Sequence, residues 1–228
     1  MRVLLISNSG RPLFEHCRGA IAAFLGSARR VAFVTAASLR DEAAYYELAR
    51  AALEPQSGLT VDHLRWDRDY RPTLERTEAV FVGGGNTYAL LKRLGESGLL
   101  DAIRVRARAG LPYVGSSAGS NVAGPNILTT NDWNVVGLTA FDALGLVPFT
   151  VNPHYKETDP TMARWSETRD ERIAEYLLMR DHPVVGIEEE TLVRVEDGVA
   201  TVLGTGRVKL FIRGREPRWC AAGARLAF

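Results

Sequence analysis

The sequence is short of cysteine and histidine, and its charge leans to neither sign. Only two cysteines occur in 228 residues, Cys17 and Cys220, far apart and without a CxxC pair. That argues against a disulfide framework or a cysteine-type zinc site, and two isolated thiols suit a reducing cytoplasm. No window holds the roughly 18 apolar residues a membrane helix needs. The N-terminal apolar run, Val3 to Ile6, turns polar at Ser7 and is too short for a signal-peptide core. The expectation is a soluble, cytoplasmic chain. A formal net charge of +1 gives no support for a nucleic-acid or polyanion partner. Internal repeats, low-complexity tracts and linkers are also missing. What is present, 46% hydrophobic and 24% charged residues, is the composition of a globular protein with a core. The length fits a single α/β domain over residues 1–228.

Short apolar runs at Val3–Ile6, Val31–Val34 and Ala79–Val82 read as strands buried on both faces. Leu59–Val61 is a weaker strand, and Pro112–Val114 a short one. Helical spacing separates them: Phe14 to Leu25, a helix after Asp41, one through Leu90-Leu91 and one through Ile103–Val105. Strands alternating with helices imply a mostly parallel sheet with helices on both faces. Gly145–Val151 is expected as a further strand and Glu167–Met179 as a helix. Val184–Ile187, Leu192–Val195, Val199–Leu203 and Val208–Ile212 follow as closely spaced strands, with a hairpin turn at Asp197-Gly198, and read as an antiparallel extension. The longest irregular stretches are 124–144 and 152–166, and long loops in such folds tend to carry function.

The strongest chemical signal is Gly115-Ser116-Ser117-Ala118-Gly119, between a strand and a helix expected at Ser120–Ala123. A nucleophile elbow needs this context: small flanking residues for a tight turn, and a helix N-terminus whose free N–H groups face developing negative charge. Ser117 holds the central position of G-x-S-x-G, with Ser116 the neighbouring alternative. A tight turn of small residues without chemistry is the bland reading. Gly83-Gly84-Gly85, followed by Asn86-Thr87, also leaves a strand and opens a helix. It lacks the lysine of a P-loop and the spacing of G-x-G-x-x-G. It reads either as backbone N–H groups brought beside Ser117, at the carboxyl edge where open α/β sheets bind ligands, or as close strand–helix packing.

A serine nucleophile needs a base. His16 falls on an amphipathic helix, His63 in a charged, solvated stretch, and His182 in a turn entering a strand. His154, in Asn152-Pro153-His154-Tyr155, follows a strand directly, which places it at the same edge as Ser117. An acid should orient the imidazole and face its cation. Asp132, Glu188, Glu189 and Glu190 are candidates, and spacing does not choose among them. With a glutamate from that run, the order is Ser, His, Glu. An α/β-hydrolase runs Ser, acid, His, so a different fold is expected to carry the same chemistry.

These residues together resemble peptidase E, the α-aspartyl dipeptidase family, and more distantly the cyanophycinases. The resemblance runs through Leu4–Ser9, Val82–Thr87, Gly115–Asn121, Thr129–Asp132, Gly137–Leu146, Asn152–Tyr155 and Glu167–Arg169, nearly the whole chain. It implies a fold like class I glutamine amidotransferase domains and a Ser-His-Glu triad of Ser117, His154 and, by spacing, Glu189. The local pattern differs from the family's usual Pro-Glu-Gly, because this chain has Glu188-Glu189-Glu190. Asp132 matches another family position and is the alternative acid. The oxyanion hole would be the N–H groups of Gly85 and Ala118.

The family cleaves dipeptides with N-terminal aspartate, and Arg169 falls on its candidate arginine for the anionic side chain, where a planar guanidinium suits a carboxylate. A solvated helix arginine among Glu167, Asp170, Glu171 and Arg172 is the plain alternative. Ser116 stands where the bacterial dipeptidases commonly have tryptophan, and the segment after His154 also differs from theirs, either of which shifts substrate preference. The expectation is a serine dipeptidase for Asp-Xaa that needs no metal or cofactor and has a small peptide as its partner, with no nucleic acid or membrane; a homo-oligomer is left open. A cyanophycinase-like or broader peptidase is the second reading, and a non-catalytic small-molecule binder on the same fold the third.

Overall fold

The computed structural model describes residues 1–159, 161 and 165–228; residues 160 and 162–164 of the long stretch 152–166 lie outside it. The chain begins with β1 (Arg2–Ile6), α1 (Arg18–Leu25), β2 (Arg30–Val34), α2 (Glu42–Ser57), β3 (Thr60–His63), α3 (Arg71–Arg76) and β4 (Ala79–Val82). It continues with α4 (Thr87–Glu96), α5 (Leu99–Arg108), β5 (Tyr113–Ser116) and α6 (Ala118–Asn121). Then come β6 (Thr150–Asn152), α7 (Arg169–Met179), β7 (Val184–Ile187), β8 (Thr191–Glu196), β9 (Val199–Gly204), β10 (Val208–Phe211), β11 (Arg218–Cys220) and β12 (Arg225–Leu226).

An eight-stranded sheet has the order β12-β9-β8-β1-β5-β4-β2-β3. β1, β5, β4, β2 and β3 are parallel to one another; β8, β9 and β12 extend the sheet antiparallel. The parallel strands read as continuous apolar runs because helices cover both faces: Val3 and Leu5 belong to one buried cluster, Leu4 and Ile6 to another. Register then sets the chemistry. Ile6 pairs with Ser116, and Val82 with Gly115, so the loops after β1, β4 and β5 leave the sheet together.

Not every C-terminal strand extends the main sheet. β7 and β10 pair antiparallel in a second sheet of order β11-β10-β7-β6, in which β6 and β7 are parallel. Asn152 pairs with Gly186 there, so the loops carrying His154 and Glu189 also leave side by side. Local chemistry explains most boundaries. Asp197 and Gly198 have φ of 50° and 79°, the left-handed pair a two-residue hairpin demands. α7 starts after Thr168, not at Glu167, because Thr168 and Glu171 form a reciprocal capping box.

Two expectations shift. The strand expected over 145–151 shortens to Thr150–Asn152, because the backbone N–H groups of Leu144, Gly145 and Leu146 bond to Val122, Gly124 and Ala123 instead of a strand. The apolar residues there are core, packed as a loop. The helix expected at 120–123 begins at Ala118, immediately after the serine.

Candidate active site

Ser117 sits between β5 and α6 with φ 53° and ψ −111°, a conformation that costs a non-glycine residue about 1–3 kcal/mol and so must be held from outside. Three contacts hold it. Ser117 N–H donates to Ile6 O at 2.9 Å. The buried Ser120 hydroxyl accepts from Ile6 N–H at 2.9 Å and lies 2.8 Å and 2.7 Å from the carbonyls of Ile6 and Gly115. Gly119 packs its bare Cα on β4: a Cβ there would lie 2.0 Å from Val82 O. The strain is therefore fixed by the edges of three neighbouring strands.

Ser117 Oγ lies 2.7 Å from His154 Nε2, and His154 Nδ1 lies 2.8 Å from Glu189 Oε1. His154 is itself left-handed, φ 54°. Its backbone N–H donates to Ser7 Oγ at 2.9 Å, and Ser7 Oγ donates to Ile187 O at 2.9 Å. This buried hydroxyl after β1 ties the two sheets together beneath the ring. Of the glutamate run, Glu188 pairs with Arg207 at 3.2 Å, Glu190 accepts from Thr205 at 3.0 Å, and Glu189 alone meets His154. The ring and Glu189 are 40% and 53% exposed, so water reaches this pair.

Asp132 holds no bond to His154. Its Oδ2 accepts from the Thr87 backbone N–H at 2.7 Å and the Thr87 hydroxyl at 2.6 Å, at the start of α4. Of the two candidate acids, Glu189 meets the imidazole, whereas the Asp132 carboxylate is bonded at the start of α4. Ser116 is turned away as well: it is fully buried, with its hydroxyl 2.9 Å from Ser9 Oγ. His63 is not solvated. It is half-buried, 2.8 Å from Thr35 Oγ1 and stacked on Tyr46 with ring centroids 4.4 Å apart. His16 lies in a short helix, Glu15–Cys17, with Nε2 buried, and His182 is exposed. Nor is Cys17 a rival nucleophile, since burial pushes its thiol up to about 12.

The glycine turn faces the elbow. Gly84 approaches Ser117 so closely that a Cβ on it would lie 3.1 Å from Ser117 Cβ, while its N–H donates to Tyr45 Oη at 3.0 Å. Gly85 has φ 139°, and a Cβ there would meet Ala37 O at 2.3 Å. Arg169, at the first turn of α7, donates from Nη1 to His154 O at 2.8 Å and to Asn152 Oδ1 at 3.3 Å. Burial pushes its guanidinium below the usual arginine range, and no carboxylate among the described residues pairs with it.

The family model for peptidase family S51 matches residues 3–203. The chain belongs to peptidase family S51. This S51 peptidase is 42% identical over 230 residues to "Peptidase E" of Streptomyces coelicolor, covering 100% of this chain and 94% of that one. It is 45% identical to a Drosophila melanogaster protein named "Probable alpha-aspartyl dipeptidase", covering 92% and 89%. A solved peptidase from an acI-B1 Actinobacterium shares the fold with TM-score 0.75 at 19% identity, covering 100% of this chain and 96% of that one.

Two cavities meet at the S51 peptidase's Ser117. One of about 300 Å³ is lined by Ser117, His154, Gly85, Thr130, Asn131 and Asp132, among others. The other, about 480 Å³, opens past Asn8, Arg11, Tyr45 and Glu189. A larger cavity of about 840 Å³ shares Thr130, Asn131 and Asp132 with the first and contains Arg169. Sequence reasoning missed Ser7 and Ser120 as supports. Ser7 stood only as the polar end of the first apolar run, and its link to His154 depends on the second sheet packing against the first.

Proposed function

We propose that this chain is a cytoplasmic serine dipeptidase that hydrolyses Asp-Xaa through an acyl-enzyme on Ser117. The observation that carries the reading is the continuous relay from Ser117 Oγ to His154 at 2.7 Å and on to Glu189 at 2.8 Å, on a strained strand-to-helix turn. His154 Nε2 takes the Ser117 proton as Oγ attacks the aspartyl carbonyl. The N–H groups of Gly85 and Ala118 hold the oxyanion; Ala118 is the first residue of α6, where helical N–H groups have no partner of their own. His154 then protonates the leaving amine, the C–N bond breaks, and the acyl group stays on Ser117. Water, deprotonated by His154, displaces it and restores the serine. Glu189 keeps Nδ1–H oriented and faces the imidazolium formed in each half-reaction.

Arg169 supplies the selectivity. It is part-buried, its charge is unpaired among the described residues, and its Nη1 contacts fix it beside the His154 loop. A substrate carboxylate would complete it. No metal or cofactor enters the scheme. Two buried cysteines that form no disulfide support the cytoplasmic placement.

The test is a panel of dipeptides. Asp-Leu should be cleaved at least about tenfold faster than Ala-Leu, the worth of one charge-assisted hydrogen bond. Replacing Arg169 with Gln should remove most of that preference. Faster turnover of β-Asp-Arg would favour the cyanophycinase-like reading instead.

A further inference from the structure

An N-terminal aspartyl residue carries two charges: a β-carboxylate and, one carbon from the scissile carbonyl, an α-ammonium. The group that reads the ammonium must therefore line the same small cavity as Ser117 and His154. Asp132 does so. Glu189 lines the adjoining cleft, which also reaches Ser117 and His154, but its Oε1 is already engaged with His154 Nδ1.

The Asp132 carboxylate is held from one side only. Thr87 N–H, Thr87 Oγ1 and Thr130 Oγ1 all converge on Oδ2, at 2.7, 2.6 and 3.3 Å. Among the described residues no donor bonds Oδ1, and no lysine, arginine or histidine pairs with the group. A half-buried carboxylate without a cation costs stability unless something supplies the charge. Arg169 is the reverse case, a part-buried cation without a carboxylate, and it stands in the larger cavity that Asp132 also lines. These two unpaired charges do not pair with each other. A network from Arg169 Nη1 to Asn152 Oδ1, and from Asn152 Nδ2 to Asn131 Oδ1 at 2.9 Å, keeps the arginine in register with the loop that carries Asp132.

Resting on the dipeptidase reading above, we propose that Asp132 is the acceptor for the α-ammonium of the substrate, and so the residue that restricts the enzyme to free N-termini. The aspartyl residue then lies with its ammonium on Asp132 in the cavity beside Ser117 and its β-carboxylate one carbon further out, on Arg169. A peptide with a blocked or absent amino group leaves Asp132 facing an apolar or neutral atom and loses that contact.

The experiment compares aspartyl p-nitroanilide with succinyl p-nitroanilide, which has the same skeleton and β-carboxylate but no amino group, in the wild type and in Asp132→Asn. Asparagine keeps the size and an oxygen for Thr87 but not the charge. The ratio of kcat/KM between the two substrates should be high in the wild type. In the variant it should fall about 10- to 100-fold, the range for losing one charge-assisted hydrogen bond. Damage to the start of α4, or loss of an orienting acid, would slow both substrates together and leave the ratio alone. An unchanged ratio in Asp132→Asn, or a wild-type ratio near one, overturns the assignment while leaving the dipeptidase reading intact. Failure of the wild type to cleave either substrate overturns both.

Discussion

Glu189→Gln is the sharpest perturbation of the relay. It keeps the length of the side chain and an oxygen that can accept Nδ1–H, and it removes the negative charge that faces the imidazolium. Nδ1 and Oε1 are 2.8 Å apart, which puts the charge centres about 4 Å apart, where unit charges interact by about 1 kcal/mol in water and about 4 kcal/mol at the dielectric of a protein surface. With the ring 40% and the carboxylate 53% exposed, the lower half of that range applies. A loss of about 1.5–2.5 kcal/mol in the transition state slows kcat by about 10- to 70-fold. That is far less than the roughly 10⁴-fold loss seen when a buried triad acid is neutralised. Steady-state kinetics on aspartyl p-nitroanilide should show the fall in kcat with KM little changed, because Glu189 makes no contact with the aspartyl residue in this scheme. A kcat within threefold of wild type would refute the role of Glu189. A large rise in KM at constant kcat would show that it binds substrate instead.

Other consequences follow from the supports of the site. Gly119→Ala would drive a Cβ to 2.0 Å from Val82 O, a contact with backbone that cannot swing away, and should cost about 3 kcal/mol or more in urea unfolding; a loss below 1 kcal/mol would contradict the packing described. Burial, helped by Arg65, holds His63 below the usual histidine range, with Glu42 and Asp67 pushing the other way. The unfolded chain therefore binds more protons than the folded one just below pH about 6.5, and stability should drop as pH falls through that point. His63→Gln should flatten that part of the profile between pH 5 and 7.5; an equal slope in both proteins would refute the assignment.

Much of the candidate site's geometry was legible because it rests on local chemistry. Ser117 lies in a tight strand-to-helix turn of small residues, and His154 directly follows an apolar strand. Both are short-range patterns, and the parallel strands that align them are continuous apolar runs. The third member was not legible from the residues alone; only the family resemblance pointed to Glu189. Glu188, Glu189 and Glu190 are chemically identical, and their division of labour depends on where Arg207 and Thr205 lie, residues brought in by strands paired far along the chain. The second sheet was hidden for the same reason: β7 and β10 are short, fully buried runs like the strands of the main sheet, and nothing local says that they leave it to join β6. Asp132 shows the limit most clearly. A carboxylate near an active-site histidine in sequence order looks like a triad acid, and only its bonds to Thr87 show that it faces elsewhere.

The central claim is that Ser117 is the nucleophile. The direct measurement is to treat the protein with a serine-reactive phosphonate, then locate the adduct by peptide mass spectrometry. One adduct per chain on Ser117 is predicted, absent in Ser117→Ala and formed much more slowly in His154→Ala, with dipeptide cleavage lost in step with labelling. An adduct on Ser116 or another residue, or undiminished cleavage by Ser117→Ala, would contradict it.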